Sequence, residues 1–261
     1  MSVSAFYKDI YLQVAQPIYV CNEHEILKTK PKKKLLFKSN RSSMELSNPT
    51  QSNEAQPAKQ IFILAGQSNM SGRGGVDKHK QWDGVVPPES SADASKIFRL
   101  GPNLHWEAAR EPLHQEIDSN RTCGVGPGMS FANALKERVG VVGLVPCAVA
   151  GTAIKDWARG TAAYEDMVRR VKAAAAHGGG EIKAVLWYQG EKDTFTEEDA
   201  NSYKENTERL IVNLREDVDL PSLPVILVAI ASGRGYLEKV RDIQKGIDRT
   251  VLGCFLSWRF P

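Results

Sequence analysis

The chain reads as an α/β fold, a central parallel sheet with helices on both sides. Two observations predict it. From Gln60 onward, short apolar runs alternate with stretches of helical periodicity, the pattern of strands joined by crossover helices. Three of those runs also stop at unusual polar or small residues, Gln67-Ser68-Asn69, Ala150-Gly151-Thr152 and Gln189-Gly190-Glu191. In a parallel sheet such tips converge at the carboxyl edge, where ligands bind.

The first strand is expected over residues 61–65. Its apolar residues are continuous rather than alternating, which suits burial on both faces. It ends abruptly at Ala65-Gly66, followed by Gln67, Ser68 and Asn69, with Ser71, Gly72, Gly74 and Gly75 close behind. A buried strand that stops at small residues and presents a serine is how α/β folds expose a nucleophile; the plainer alternative is a Ser/Asn/Gly turn. The spacing is neither GxxxxGK[ST] nor GxGxxG, so a phosphate-cradling loop fits poorly. Residues 70–125 form a long irregular connection carrying Pro87, Pro88, Pro102 and Pro112, with Trp82 and Trp106 to pack it down. Connections of that length inside a compact domain usually build binding sites.

A helix follows over 128–138, where Met129, Phe131, Ala132 and Leu135 keep helical spacing. Strands are expected over 139–148, 182–188 and 221–230. Helices are expected over 164–176, stopped by Gly178-Gly179-Gly180, over 197–217, and over 234–248.

The 261 residues, 42% hydrophobic and 25% charged, suit one α/β domain with a substantial core plus extra segments. Residues 1–58 show no coherent pattern, and 39–58 are rich in Ser, Asn, Gln and Pro. They are expected as a disordered or loosely attached leader, with the folded domain over 59–261. No apolar run approaches the roughly 20 residues of a membrane span. The start lacks the basic and apolar regions of a secretory signal, so a cytoplasmic location is favoured. The net charge of +3 comes from one cluster, Lys28, Lys30, Lys32, Lys33, Lys34, Lys38 and Arg41. Without those seven of the 34 basic residues, 27 remain against 31 acidic ones. The folded part is thus mildly acidic and no nucleic-acid surface is expected. The cluster itself reads as a solvated tail, with nuclear import as the alternative. Cys21, Cys123, Cys147 and Cys254 show no zinc spacing. Free thiols are expected, Cys147 as a small buried hydrophobe. No metal and no cofactor is expected, and oligomeric state is not legible.

The blocks IFILAGQSNMSGRGG, GVGPGMSFANAL, GLVPCAVAGTAIKDW and AVLWYQGEKD resemble the spaced motifs of the SGNH hydrolases. The resemblance is densest to the plant branch of the sialate O-acetylesterase-like carbohydrate esterases and covers about residues 60–244. It implies a three-layer α/β/α, flavodoxin-like sandwich, and removal of O-acetyl groups from saccharides through an acyl-serine intermediate. By resemblance, Ser68 is the nucleophile. The oxyanion would be held by the backbone N–H groups of Ser68 and Gly151 and by the side-chain amide of Gln189. Gln67, Asn69, Glu191 and Asp193 are the candidates for ordering the loops or touching the sugar, and Lys192 stands where the family usually has a small residue.

One part of the pattern is absent. The family takes its general base from a late Asp-x-x-His block, whereas this chain diverges near Ile247, has no histidine after His177 and contains no DxxH. The sandwich is therefore expected to be truncated at its C-terminal side, incomplete after about residue 247, with residues 250–256 available for a short edge strand. Without a base a serine alcohol is a weak nucleophile, so the activity of this chain is expected to be impaired. The alternative is a catalytically silent saccharide-binding or regulatory pseudo-esterase, or a truncated isoform. Glu111-Pro112-Leu113-His114 offers the one ExxH spacing, which makes His114 a substitute-base candidate against the plainer reading of a loop histidine. His79 and His105 are weaker candidates.

Overall fold

The computed structural model describes residues 58–119, 121–176, 179–250 and 254–257. The leader up to residue 57, its basic cluster, Cys21, His177, Trp258, Phe260 and the side chain of Cys254 lie outside the described residues. The strands are β1 (Lys59–Gly66), β2 (Ile97–Leu100), β3 (Trp106–Ala108), β4 (Val142–Pro146), β5 (Gly180–Tyr188), β6 (Val225–Val228) and β7 (Cys254–Ser257). The helices are α1 (Ser68–Ser71), α2 (Pro127–Val139), α3 (Ala162–Ala175), α4 (Glu197–Asp217) and α5 (Leu237–Thr250).

All seven strands lie in one sheet, in the order β3-β2-β4-β1-β5-β6-β7. Among the described residues only the β2–β3 pair of this sheet is antiparallel. From β4 to β7 the chain order of the strands is 2-1-3-4-5, the flavodoxin-like winding, and β1 is its switch point. β1 pairs with β4 through Gln60↔Val142 to Leu64↔Pro146 and with β5 up to Gly66↔Tyr188. Ile61, Phe62, Ile63, Leu64 and Ala65 are all buried, as a continuous apolar run at the centre of a two-sided sheet must be.

The two helical layers follow from which face each side chain takes. Phe62 meets Phe131 of α2 edge to face, with centroids 4.9 Å apart. On the opposite face Val185, Trp187 and Val225 pack with Met167 of α3 and with Leu210, Ile211 and Leu214 of α4. α5 lies beside α4, burying Val240 and Ile247. This is the three-layer α/β/α sandwich the motifs implied.

Two differences from the sequence reading stand out. Residues 70–125 are not wholly irregular: β2 and β3 extend the sheet beyond β4. They are four and three residues long, too short to show alternation. β2 also carries Arg99, buried through an ion pair to Glu107 at 2.6 Å and a bond to the Leu113 carbonyl at 2.9 Å. A charged residue inside a short strand masks the pattern, and β2 forms because β4 offers it an edge. At the other side, β7 occupies the fifth position of the winding, parallel to β6 through Val225↔Cys254 to Val228↔Ser257. This edge strand overlaps the one expected over 250–256 only at its end, because Thr250 still belongs to α5, and it covers the edge of β6.

Candidate active site

The site is built where β1 stops. Gly66 has φ +131°, and a Cβ there would fall 2.1 Å from the Tyr188 carbonyl oxygen. Only glycine permits that approach, and it brings the Gln67 N–H to Tyr188 O at 2.9 Å. The Gln67 carbonyl then accepts the N–H groups of Met70 and Ser71, at 2.9 and 3.0 Å, which winds the single turn α1. Ser68 is its first residue and is half-buried. The first N–H groups of a helix have no partner within it. Among the described residues neither the Ser68 N–H nor its hydroxyl has a hydrogen-bond partner.

The loop after β4 arrives on one side. Cys147 N–H bonds Leu64 O at 2.8 Å and Val149 N–H bonds Gly66 O at 3.0 Å, continuing the ladder past the strand ends. Gly151 follows at φ +79°, exposed, with nothing near the position of a Cβ. Its N–H also has no partner among the described residues. The turn is braced by the Thr152 hydroxyl, which donates to Val149 O at 2.8 Å and accepts from the Trp157 indole at 3.0 Å.

The loop after β5 arrives on the other side. Gln189 is fully buried. Its amide nitrogen donates to Asp193 Oδ2 at 2.5 Å and to Thr152 O at 3.0 Å, and lies 3.4 Å from Gln67 Oε1. Gln189 is thus knitted to the residues flanking Ser68 and Gly151, but its donors are engaged inside the protein. Its oxygen is buried without a partner. Gln67 Oε1 also lies 3.4 Å from the Lys192 N–H.

Glu191 and Asp193 are not solvated loop residues. Asp193 accepts from Ile154 N–H at 3.0 Å and from Gln189, and burial raises its carboxyl to about 6. Glu191 Oε1 accepts from the Asn69 amide, while Oε2 is buried without a partner. Burial, aided by the nearby Asp193 charge, raises Glu191 to about 7. Both carboxyls tie the β5 loop to its neighbours, Glu191 to the turn that carries Ser68 and Asp193 to the β4 loop.

His114 is not brought to Ser68. It is buried beneath the end of β1, with Nε2 3.5 Å from the Leu64 carbonyl and Nδ1 without a partner. Burial depresses its basicity to about 3. The Glu111 carboxylate faces backbone rather than imidazole, accepting from Leu113 N–H at 2.9 Å and Gly126 N–H at 3.4 Å. ExxH spacing is satisfied in sequence and unused in space. His105 bonds the Asn103 carbonyl at 2.8 Å. Among the described residues no imidazole bonds the Ser68 hydroxyl, and no group of three or more His, Cys, Asp or Glu could hold a metal ion. Cys123 and Cys147 are free and buried, the Cys147 thiol pushed up to about 12 by burial.

Three supports escaped the sequence reading. Gln244 of α5 donates to Gln189 O at 3.0 Å and accepts from Ile230 N–H at 3.1 Å, while Tyr203 of α4 donates to the same Gln189 carbonyl at 2.9 Å. The signal was available, because Gln244 takes a position on the buried stripe of α5 between Val240 and Ile247. The third support, Asp118, is buried and accepts from Ala150 N–H at 3.3 Å. It sits in a loop without periodicity and left no such signal.

Comparison with known proteins places these features in a family. Residues 58–257 match the model of a family described as carbohydrate esterase, sialic acid-specific acetylesterase. The chain is 56% identical over 207 residues to a probable carbohydrate esterase of Arabidopsis thaliana (At4g34215), covering 76% of this chain and 79% of that protein. The X-ray structure of the protein from that Arabidopsis locus superposes with a TM-score of 0.72 at 55% identity, covering 77% of this chain and 85% of that one. A carbohydrate acetylesterase from Xanthomonas citri shares the fold at a TM-score of 0.52 and 21% identity, covering 76% of this chain and 49% of that one.

Proposed function

The chain belongs to the carbohydrate esterase, sialic acid-specific acetylesterase family, and from that premise we propose that Ser68 is the nucleophile of an acetyl transfer from an O-acetylated saccharide. The Ser68 oxygen attacks the ester carbonyl carbon. Negative charge then develops on the carbonyl oxygen, between the backbone N–H groups of Ser68 and Gly151. Collapse releases the sugar hydroxyl and leaves acetyl-Ser68, which water hydrolyses to acetate. One observation carries the reading: a half-buried hydroxyl and two N–H donors, all without partners among the described residues, stand on adjacent strand ends. One preorganised donor of this kind is worth about 3 kcal/mol in the transition state. Gln189 adds a third donor only by releasing Asp193 or Thr152.

The serine proton needs an acceptor, and among the described residues no imidazole reaches it. We therefore propose that this chain turns over slowly, by a factor on the order of 10⁴ to 10⁶ relative to a complete triad. Hydrolysis of p-nitrophenyl acetate and of acetylated xylo-oligosaccharides by the chain and by Ser68→Ala tests the assignment. A slow rate that disappears in the variant is expected; equal rates remove Ser68 as nucleophile.

That no imidazole among the described residues bonds the Ser68 hydroxyl favours a second reading, a silent saccharide-binding protein. Saturable binding of acetylated oligosaccharide with no Ser68-dependent acetate release would select it.

A further inference from the structure

Beside the end of β5, one exposed aromatic ring lies close to two cations. Phe195 is 48% exposed, the one aromatic among the strongly exposed large apolar side chains of the described residues. Lys192 Nζ lies over the ring, 4.7 Å from its centroid, and the Arg234 guanidinium carbon lies over it at 5.1 Å. Among the described residues neither cation is within ion-pair distance of a carboxylate, though the Lys192 charge helps to lower the Asp199 carboxyl. The neighbouring acids are engaged elsewhere: Asp199 with Lys155 at 2.7 Å, Glu197 with Lys239 at 4.0 Å, and Glu191 and Asp193 inside the loops.

The backbone that carries this group is fixed. Thr194 is buried, donates its hydroxyl to Glu191 O at 2.7 Å, and accepts from Arg234 N–H at 2.6 Å. Its carbonyl accepts from Tyr236 N–H at 3.1 Å. The loops after β5 and β6 are thereby stitched together. The same turn starts at Glu191, which bonds Asn69 beside Ser68.

The part of the ring that the two cations leave exposed offers apolar surface to a sugar, an arginine fork matches a carboxylate, and a lysine adds a compact positive charge. Both cations lie over the ring, so a carboxylate that meets them must be held close to the sugar that rests against it. The equatorial carboxylate on the ring of a hexuronate meets that condition. We propose that Lys192, Phe195 and Arg234 form a subsite for a hexuronate residue of the saccharide chain. The proposal rests on the esterase reading only in taking a saccharide as the ligand.

Binding of tri-galacturonate, xylotriose and sialyllactose to the full chain, measured by calorimetry at low ionic strength, tests it. Tri-galacturonate is expected to bind about tenfold more tightly than xylotriose, the size of two exposed charge pairs, and salt should erase the difference. Arg234→Glu should abolish or invert the preference, and Phe195→Ala should weaken both of these sugars. All three residues are exposed, and unchanged thermal midpoints would show that the variants fold. Equal affinity for the two trisaccharides, a preference that survives Arg234→Glu, tri-galacturonate binding indifferent to Phe195→Ala, or tighter binding of sialyllactose would each overturn the proposal. Acetate release is read separately. Tri-galacturonate preference with no Ser68-dependent acetate release from p-nitrophenyl acetate or acetylated xylo-oligosaccharides would spare the subsite and sink the esterase, while Ser68-dependent release without acid preference would do the reverse.

Discussion

A carboxyl group moved from water into a packed loop must find donors or keep its proton. Glu191, with one oxygen on Asn69 and the other unpartnered, does both in part. Its pKa is raised from an ordinary value near 4.5 to about 7, and Asp193 and Glu111 are raised for the same reason, to about 6 and about 7. Each binds its proton more tightly folded than unfolded. Each therefore adds stability that is complete below its unfolded pKa and is lost as pH rises through its folded one. The chain is expected to lose unfolding free energy between about pH 5 and pH 8. Glu191→Gln should lose less over that interval, by on the order of 2 to 3 kcal/mol. Urea titrations across that range check it, and parallel curves for the two proteins would mean that Glu191 ionises normally.

At the level of elements, the junctions matter more than the strands and helices they join. Two glycines at positive φ make the contrast. Gly66 lies where an added Cβ would strike the Tyr188 backbone at 2.1 Å, whereas Gly151 has open space around it. Gly151→Ala is expected to cost only the left-handed strain, about 1 to 2 kcal/mol. Gly66→Ala must separate β1 from β5 or distort the turn that presents Ser68, and should be the larger loss by several kcal/mol. Chemical denaturation of the two variants compares them; similar losses would show that β1 and β5 can part there without harm. The supports on α4 and α5 act at the same scale. Tyr203→Phe leaves Gln244 to hold the Gln189 carbonyl alone, and should cost about 1 kcal/mol.

Across the whole molecule, the 2-1-3-4-5 winding puts β1 at the switch point, and that alone brings three loops to one place. β4 and β5 are far apart in sequence and become neighbours of the same strand. At the far side β7 pairs with β6 along four residues, and an uncovered parallel edge of Val225, Ile226, Leu227 and Val228 would be a template for association. A chain ending at Thr250 is expected to run as larger species in size-exclusion chromatography and light scattering. Elution matching the full chain would show that β7 does not guard that edge.

The amino-acid sequence by itself determined the parts that depend on neighbours along the chain. β1 was legible because its apolar run is continuous, α2 and α4 because their apolar residues keep helical spacing, and the three loop tips because each breaks a run with polar residues. Periodicity and turn chemistry are local, and survive without tertiary contacts. Only the tertiary structure decided the rest. β2 and β3 exist because β4 offers an edge. His114 is a buried histidine because Leu64 lies over it, which no ExxH spacing could reveal. Gln189 faces Asp193 and Thr152 because the strand order brings β4 and β5 to either side of β1. In each case the deciding partner lies many residues away in sequence, and what a side chain bonds is set by the surface folded against it.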